Sequence, residues 1–191
     1  MPAGGASCVR PHWGTGGRPG LIRGIAIIAA VAAAILSAAT PVRAEDPAYL
    51  RAGVGEFDIF HNNKAGDFDL EFQTDRIWYI RPVFGFEFTT DSATYFYGGF
   101  NFDLPVGKHI VIELGSAVGH YSNGDGKDLG NAIEFRSGGE VALRLRNQAR
   151  VGLALHHISN AHLGNHNPGT EILGLTYSIP MGHLFSHDAR K

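Results

Sequence analysis

The sequence predicts an all-β protein, an eight-stranded antiparallel transmembrane β-barrel of the bacterial outer membrane. Three observations carry that prediction. An export signal stands at the N-terminus, the remainder alternates apolar and polar residues with a period of two, and turn residues cut it into segments near ten residues long. Composition agrees. The chain of 191 residues holds 26 Gly and 10 % aromatic residues but only 18 % charged residues, below the roughly 25 % of ordinary soluble domains. Those figures exclude a disordered chain and a helical bundle. A formal net charge of −2 leaves no basic field for nucleic acid.

Residues 1–44 read as a cleaved secretory signal peptide. Arg10, Arg18 and Arg23 precede an apolar run from Gly24 to Ala39, which is short for a membrane-spanning helix and is followed by Pro41-Val42-Arg43-Ala44. Cys8, the single cysteine, lies upstream of that run. The mature part, residues 45–191, therefore has no thiol. It reads as one β-barrel domain without repeat, linker or second long apolar segment.

Parity organises the mature part. An opening strand spans about Arg51 to Phe60. Phe68, Leu70 and Phe72 alternate with Asp69, Glu71 and Gln73. Trp78, Ile80, Phe84, Phe86 and Phe88 form the next apolar row. Phe96, Phe100, Phe102 and Leu104 follow, then Ile110, Ile112, Leu114 and Val118. Ile133, Phe135, Val141, Leu143 and Leu145 oppose Glu134, Arg136, Glu140, Arg144 and Arg146. Val151, Leu153 and Leu155 continue, and Leu173, Leu175, Tyr177 and Ile179 close the set. Asn62-Asn63, Gly66-Asp67, Pro105-Val106-Gly107, Asn123-Gly124-Asp125-Gly126 and Asn167-Pro168-Gly169 supply turns.

Alternation by itself leaves an exported soluble β-protein open, because the charged rows suit either water or a charge-paired lumen. Export, aromatic content and strand length favour the membrane barrel. Eight strands leave an interior just filled by side chains, a plug rather than a pore. Trp78, Tyr79, Tyr95, Tyr97 and Tyr121 are candidates for interfacial girdles, although a soluble core would use the same residues.

The stretch Val151 to Pro168 carries the chemistry. His157 and Ser159 continue the row of Val151, Leu153 and Leu155. On a strand, i and i+2 share a face about 6.5–7 Å apart, so the hydroxyl can approach the imidazole. Glu171 begins the apolar row of the following strand, and a hairpin brings its carboxylate toward the far imidazole nitrogen. Nucleophile, base and orienting acid are the parts of acyl transfer. Rim residues that only bond to water would show the same parity.

The run His157-Ile158-Ser159-Asn160-Ala161, then Asn167-Pro168-Gly169 and Glu171 twelve residues after Ser159, resembles the PagL family of outer-membrane lipid A 3-O-deacylases. The resemblance implies hydrolysis of the ester-linked 3-hydroxyacyl chain at the 3-position of lipid A. It implies Ser159 as nucleophile, His157 as general base and Glu171 as orienting acid. Asn160 would stabilise the oxyanion, with Ala161 and Asn167 in support. It further implies lipopolysaccharide and outer-membrane lipid as partners, a site on the outer barrel wall, and no metal or organic cofactor. Two features depart from the pattern. His162 stands where a small residue would give peptide N–H groups freer approach, and the chain runs past Phe185 in a short tail, Ser186 to Lys191.

Other readings fit the same residues. His156, His157, His162 and His166 invite a zinc site, but His156 and His157 face opposite sides of a strand. A non-enzymatic small barrel serving adhesion or structure would present the loop Ser122 to Asn131, which lacks the acidic ligand of a calcium loop and reads as solvated. A homodimer is left open.

Overall fold

The computed structural model describes residues 47–182. The signal-peptide reading and the Phe185 tail lie outside the described residues. Eight strands run in order: β1 (Ala48–Phe57), β2 (Ala65–Gln73), β3 (Ile80–Thr89), β4 (Thr94–Val106), β5 (Ile110–Ser122), β6 (Ile133–Arg144), β7 (Arg150–Ser159) and β8 (Thr170–Gly182). Each pairs antiparallel with its neighbour, and β8 returns to β1 to close the barrel. Closure removes the unpaired edge that hydrocarbon would leave without hydrogen-bond partners.

The faces are inverted relative to a soluble barrel. Outside, Phe84, Phe96, Val141, Leu153, Leu175 and Ile179 are exposed in a continuous apolar belt, with Phe68 stacked on Phe88 at 4.9 Å and Phe86 against Phe96 at 4.4 Å. Inside, Arg51, Glu71, Arg81, Asp103, Glu113, Glu134, Arg136 and Glu140 are buried. Arg51 lies 3.2 Å from both Asp69 and Glu71 and 3.3 Å from Glu140. Asp103 takes Arg81 and Arg150 at 3.0 Å each. Only a lipid surround makes the outer belt favourable. The lumen is a packed charge network, as expected for eight strands.

Three tyrosines correct the girdle expectation. Tyr95, Tyr97 and Tyr121 are buried inside the barrel. They share parity with Asn101, Asp103 and Glu113, so their hydroxyls serve the polar lumen. Tyr97 donates to Asp69 or Glu71, each at 2.9 Å, and Arg136 stacks 4.5 Å above its ring. Gly85 leaves room for that ring, since a Cβ there would collide with it. Two strand limits also shift. The opening strand ends at Phe57 rather than Phe60, because Asp58 turns the chain with φ 60. Trp78 precedes β3 and sits in a tight turn with φ 69, closed by the Ile77–Ile80 bridge.

Loops 58–64, 123–132 and 160–169 gather at one end, and the short turns 107–109 and 145–149 lie at the other. In outer-membrane barrels the longer loops face outward from the cell. Loop 123–132 is not simply solvated. Leu129 is fully buried and packs with Phe57, Tyr95, Tyr121, Ile158 and Ile172 beneath the loop end.

Two substitutions test the inversion. Arg51→Ala strands buried carboxylates and should cost about 3–5 kcal/mol in urea unfolding of the lipid-reconstituted barrel. Leu153→Arg places a charge against lipid and should cost up to about 2–4 kcal/mol there, depending on depth. A Leu153→Arg protein that folds into bilayers as well as the parent would contradict the lipid-facing assignment.

Candidate active site

β7 and β8 carry the polar cluster, and their register sets it. His157 lies directly opposite Glu171, with Leu155 opposite Leu173 and Leu153 opposite Leu175 on the same outer face. The inward residues Ala154, Ile158, Thr170 and Ile172 are all buried, which fixes the parity. His157 Nδ1 lies 3.1 Å from Glu171 Oε1. The imidazole is 46 % exposed and the carboxylate 24 %, so both stand on the wall above greasy neighbours. Nδ1 engages the acid, which leaves Nε2 for another partner. Ser159 lies two residues further along the same outward row, half-buried and opposite Phe135 of β6. Its hydroxyl makes no side-chain hydrogen bond among the described residues.

The loop 160–169 is tied down from below. Asn160 is fully buried. Its amide donates to the carbonyls of Leu129 and His166, both at 2.8 Å, and its Oδ1 accepts the His162 N–H at 2.9 Å. Its own N–H reaches Asn167 Oδ1 at 3.0 Å. The side-chain amide therefore has no N–H left for a tetrahedral oxygen. That corrects the expectation of Asn160 as an oxyanion donor and makes it, with Asn167, an organiser of the loop. Leu163 N–H returns to Asn160 O at 2.9 Å. Within 160–163 this leaves the Ala161 N–H as the peptide donor without a partner among the described residues. Ala161 and His162 adopt φ 50 and φ 65, a region glycine enters without steric cost. His162 is accommodated there because its side chain projects into solvent. Gly169 also has positive φ, and a Cβ on it would stand 2.9 Å from His157 Cε1.

The four histidines of the zinc reading do not converge. His156 turns inward beside Asp67, Glu87 and Arg136, while His157 faces out. A different group gathers at the loop end: Asp58, His61 and Glu171 place ligand-type atoms within 4.8 Å of one another. Its chemistry opposes a cation, because the Lys127 ammonium already sits 2.6 Å from Asp58 Oδ1. Burial works against the charge of Asp58, but Lys127, the Asn63 N–H and the Thr170 hydroxyl outweigh it and hold its carboxyl below the usual carboxylate range. Sequence reading missed Asp58, His61 and Lys127, since nothing in their local spacing ties them to residue 171.

Fold and surface together define an outer-membrane β-barrel with a hydrogen-bonded histidine–carboxylate pair on its lipid-facing wall. The profile of the family described as Lipid A 3-O-deacylase (PagL) matches residues 65–180. The chain belongs to that family. The lipid A deacylase PagL of Pseudomonas aeruginosa is 33 % identical over 100 residues, covering 52 % of this chain and 50 % of that protein; the match thus spans about half the length of that relative. The crystal structure of the outer membrane enzyme PagL aligns with a TM-score of 0.56 at 24 % identity, over 70 % of this chain and 99 % of that one. Neisserial surface protein A (NspA) aligns at 0.54 and 9 % identity, over 70 % and 96 %. These two structural likenesses concern the fold.

Asn160→Ala should release loop 160–169 while leaving the barrel closed. Each lost buried bond costs about 1–3 kcal/mol, so amide hydrogen exchange across 160–169 should accelerate by at least tenfold, with β1 to β6 unchanged.

Proposed function

We propose that this protein hydrolyses the ester-linked 3-hydroxyacyl chain at the 3-position of lipid A. The 3.1 Å pairing of His157 Nδ1 with Glu171 Oε1 on the outer wall, with Ser159 two residues along the same row, carries the reading. Family membership and the name of the Pseudomonas aeruginosa relative support the substrate class. A site reached sideways from lipid also suits a substrate that never leaves the membrane.

Lipid A diffuses in the outer leaflet to the wall formed by β6, β7 and β8. Ser159 Oγ attacks the ester carbonyl as His157 Nε2 takes its proton. Glu171 holds Nδ1–H, keeps the productive tautomer and stabilises the imidazolium. The Ala161 N–H is the peptide donor closest in sequence to the nucleophile that the loop leaves free for the developing oxyanion. Collapse of the tetrahedral intermediate releases lipid A with a free 3-hydroxyl, protonated by His157. Water, deprotonated by the same imidazole, then attacks the acyl-enzyme and frees the 3-hydroxy fatty acid.

Mass spectrometry of lipid A incubated with purified protein tests this reading. Wild type should remove one hydroxyacyl group. Ser159→Ala and His157→Ala should lose at least a thousandfold in rate. Glu171→Ala should lose less than either, since orientation contributes less than proton transfer. Undiminished release by Ser159→Ala would remove the serine from the mechanism.

A further inference from the structure

We propose that His61 is a positioning residue for the acid of this site: its imidazole holds the second oxygen of Glu171, so that Glu171 is gripped between two histidines. This inference rests on the role given to Glu171 above.

β1 ends at Phe57, and the next residue, Asp58, with φ 60, folds the chain back across β8. The loop is fastened at Glu171 itself, because the Ile59 N–H donates to the Glu171 carbonyl at 3.2 Å. Asp58 is buried beneath it. Its Oδ1 takes Lys127 Nζ at 2.6 Å and the Thr170 hydroxyl at 3.2 Å, and its Oδ2 takes the Asn63 N–H at 3.0 Å. That anchor sets the place of His61. The His61 N–H bonds the Asp58 carbonyl at 3.0 Å, and His61 Nδ1 stands 3.2 Å from Asp58 Oδ1 and 3.8 Å from Glu171 Oε2.

Glu171 shows why the second contact matters. Oε1 meets His157, whereas Oε2 is buried and has no hydrogen-bond partner. A buried carboxylate oxygen without a donor is costly, and a carboxylate held at one oxygen turns freely about its last torsion. His61 Nδ1 is the donor-type atom poised at that oxygen, and closing the gap by about 1 Å makes a charge-assisted bond. With Oε2 held, the plane of the carboxylate is set and Oε1 stays aimed at His157 Nδ1 as the imidazolium forms. The charged and titratable groups around His61 are Asp58 on its own loop, Lys127 reaching Asp58 from loop 123–132, and Glu171 with His157 behind it.

Single-turnover deacylation of lipid A at excess enzyme, in wild type, His61→Ala, Glu171→Ala and the double variant, tests the proposal; gel mobility before and after heating reports folding. His61→Ala should lower the deacylation rate on the order of tenfold, the size of coupling between neighbouring side chains, with the half-saturating lipid A concentration unchanged. The double variant should be no slower than Glu171→Ala. His61→Gln, which keeps an N–H at similar reach, should recover part of the loss. An unchanged rate in His61→Ala overturns the proposal. So does an equal fractional loss in both backgrounds, which marks loop packing alone, and so does a His61→Gln protein as slow as His61→Ala. The underlying reading fails separately, if Ser159→Ala or Glu171→Ala keeps the wild-type rate.

Discussion

The seam between β1 and β8 sets more of this molecule than any other pairing. In hydrocarbon, each peptide group left without a partner costs several kcal/mol, so a spanning sheet must close on itself. Closure sets Leu50 opposite Ile179, Val54 opposite Leu175 and Glu56 opposite Leu173. It aligns the outward rows into one belt and determines which loop lies beside the polar cluster. Because β1 abuts β8, the turn at Asp58 falls across Glu171. One constraint, the need to satisfy backbone groups, thus fixes both the wall and the neighbours of the acid.

The two faces divide the work. The lumen holds Arg51, Arg81, Arg136 and Arg150 against Asp69, Glu71, Asp103 and Glu113. Such a network tolerates little movement, since displacing one member leaves another buried charge unopposed. β7 is anchored on it through an inward row that includes Ala154 and Ile158. The outward row of the same strand is then presented on a stiff support. That suits a site in which a histidine and a carboxylate on different strands must stay within hydrogen-bond reach. Their mutual bond also reduces the cost of placing polar groups beside Leu155 and Leu173.

Much of this was legible from period-two patterning. His157, Ser159 and Glu171 share parity with Leu155, Leu173 and Leu175, so their common face follows from the pleat alone. The tyrosines show where residue chemistry misleads. Tyr95 and Tyr97 look like interfacial residues by type, yet their parity matches Asn101 and Asp103, and parity prevails because the pleat allows only two directions. Asn160 shows another limit. An amide next to the serine proposed as nucleophile suggests an oxyanion donor, but Leu129 and His166 approach it only after loops 123–132 and 160–169 fold together.

The amino-acid sequence by itself pointed to eight strands, to the alternation along each, and to a common face for His157, Ser159 and Glu171. All three depend on local geometry, alternation along a strand and a hairpin between consecutive strands. Tertiary structure alone decided which groups surround them. Asp58 and His61 reach Glu171 across barrel closure, Lys127 fastens Asp58, and Leu129 accepts the Asn160 amide, through contacts between residues as far apart as 61 and 171. No short-range pattern encodes such contacts, because they arise from closing the sheet rather than from the run of residues along it.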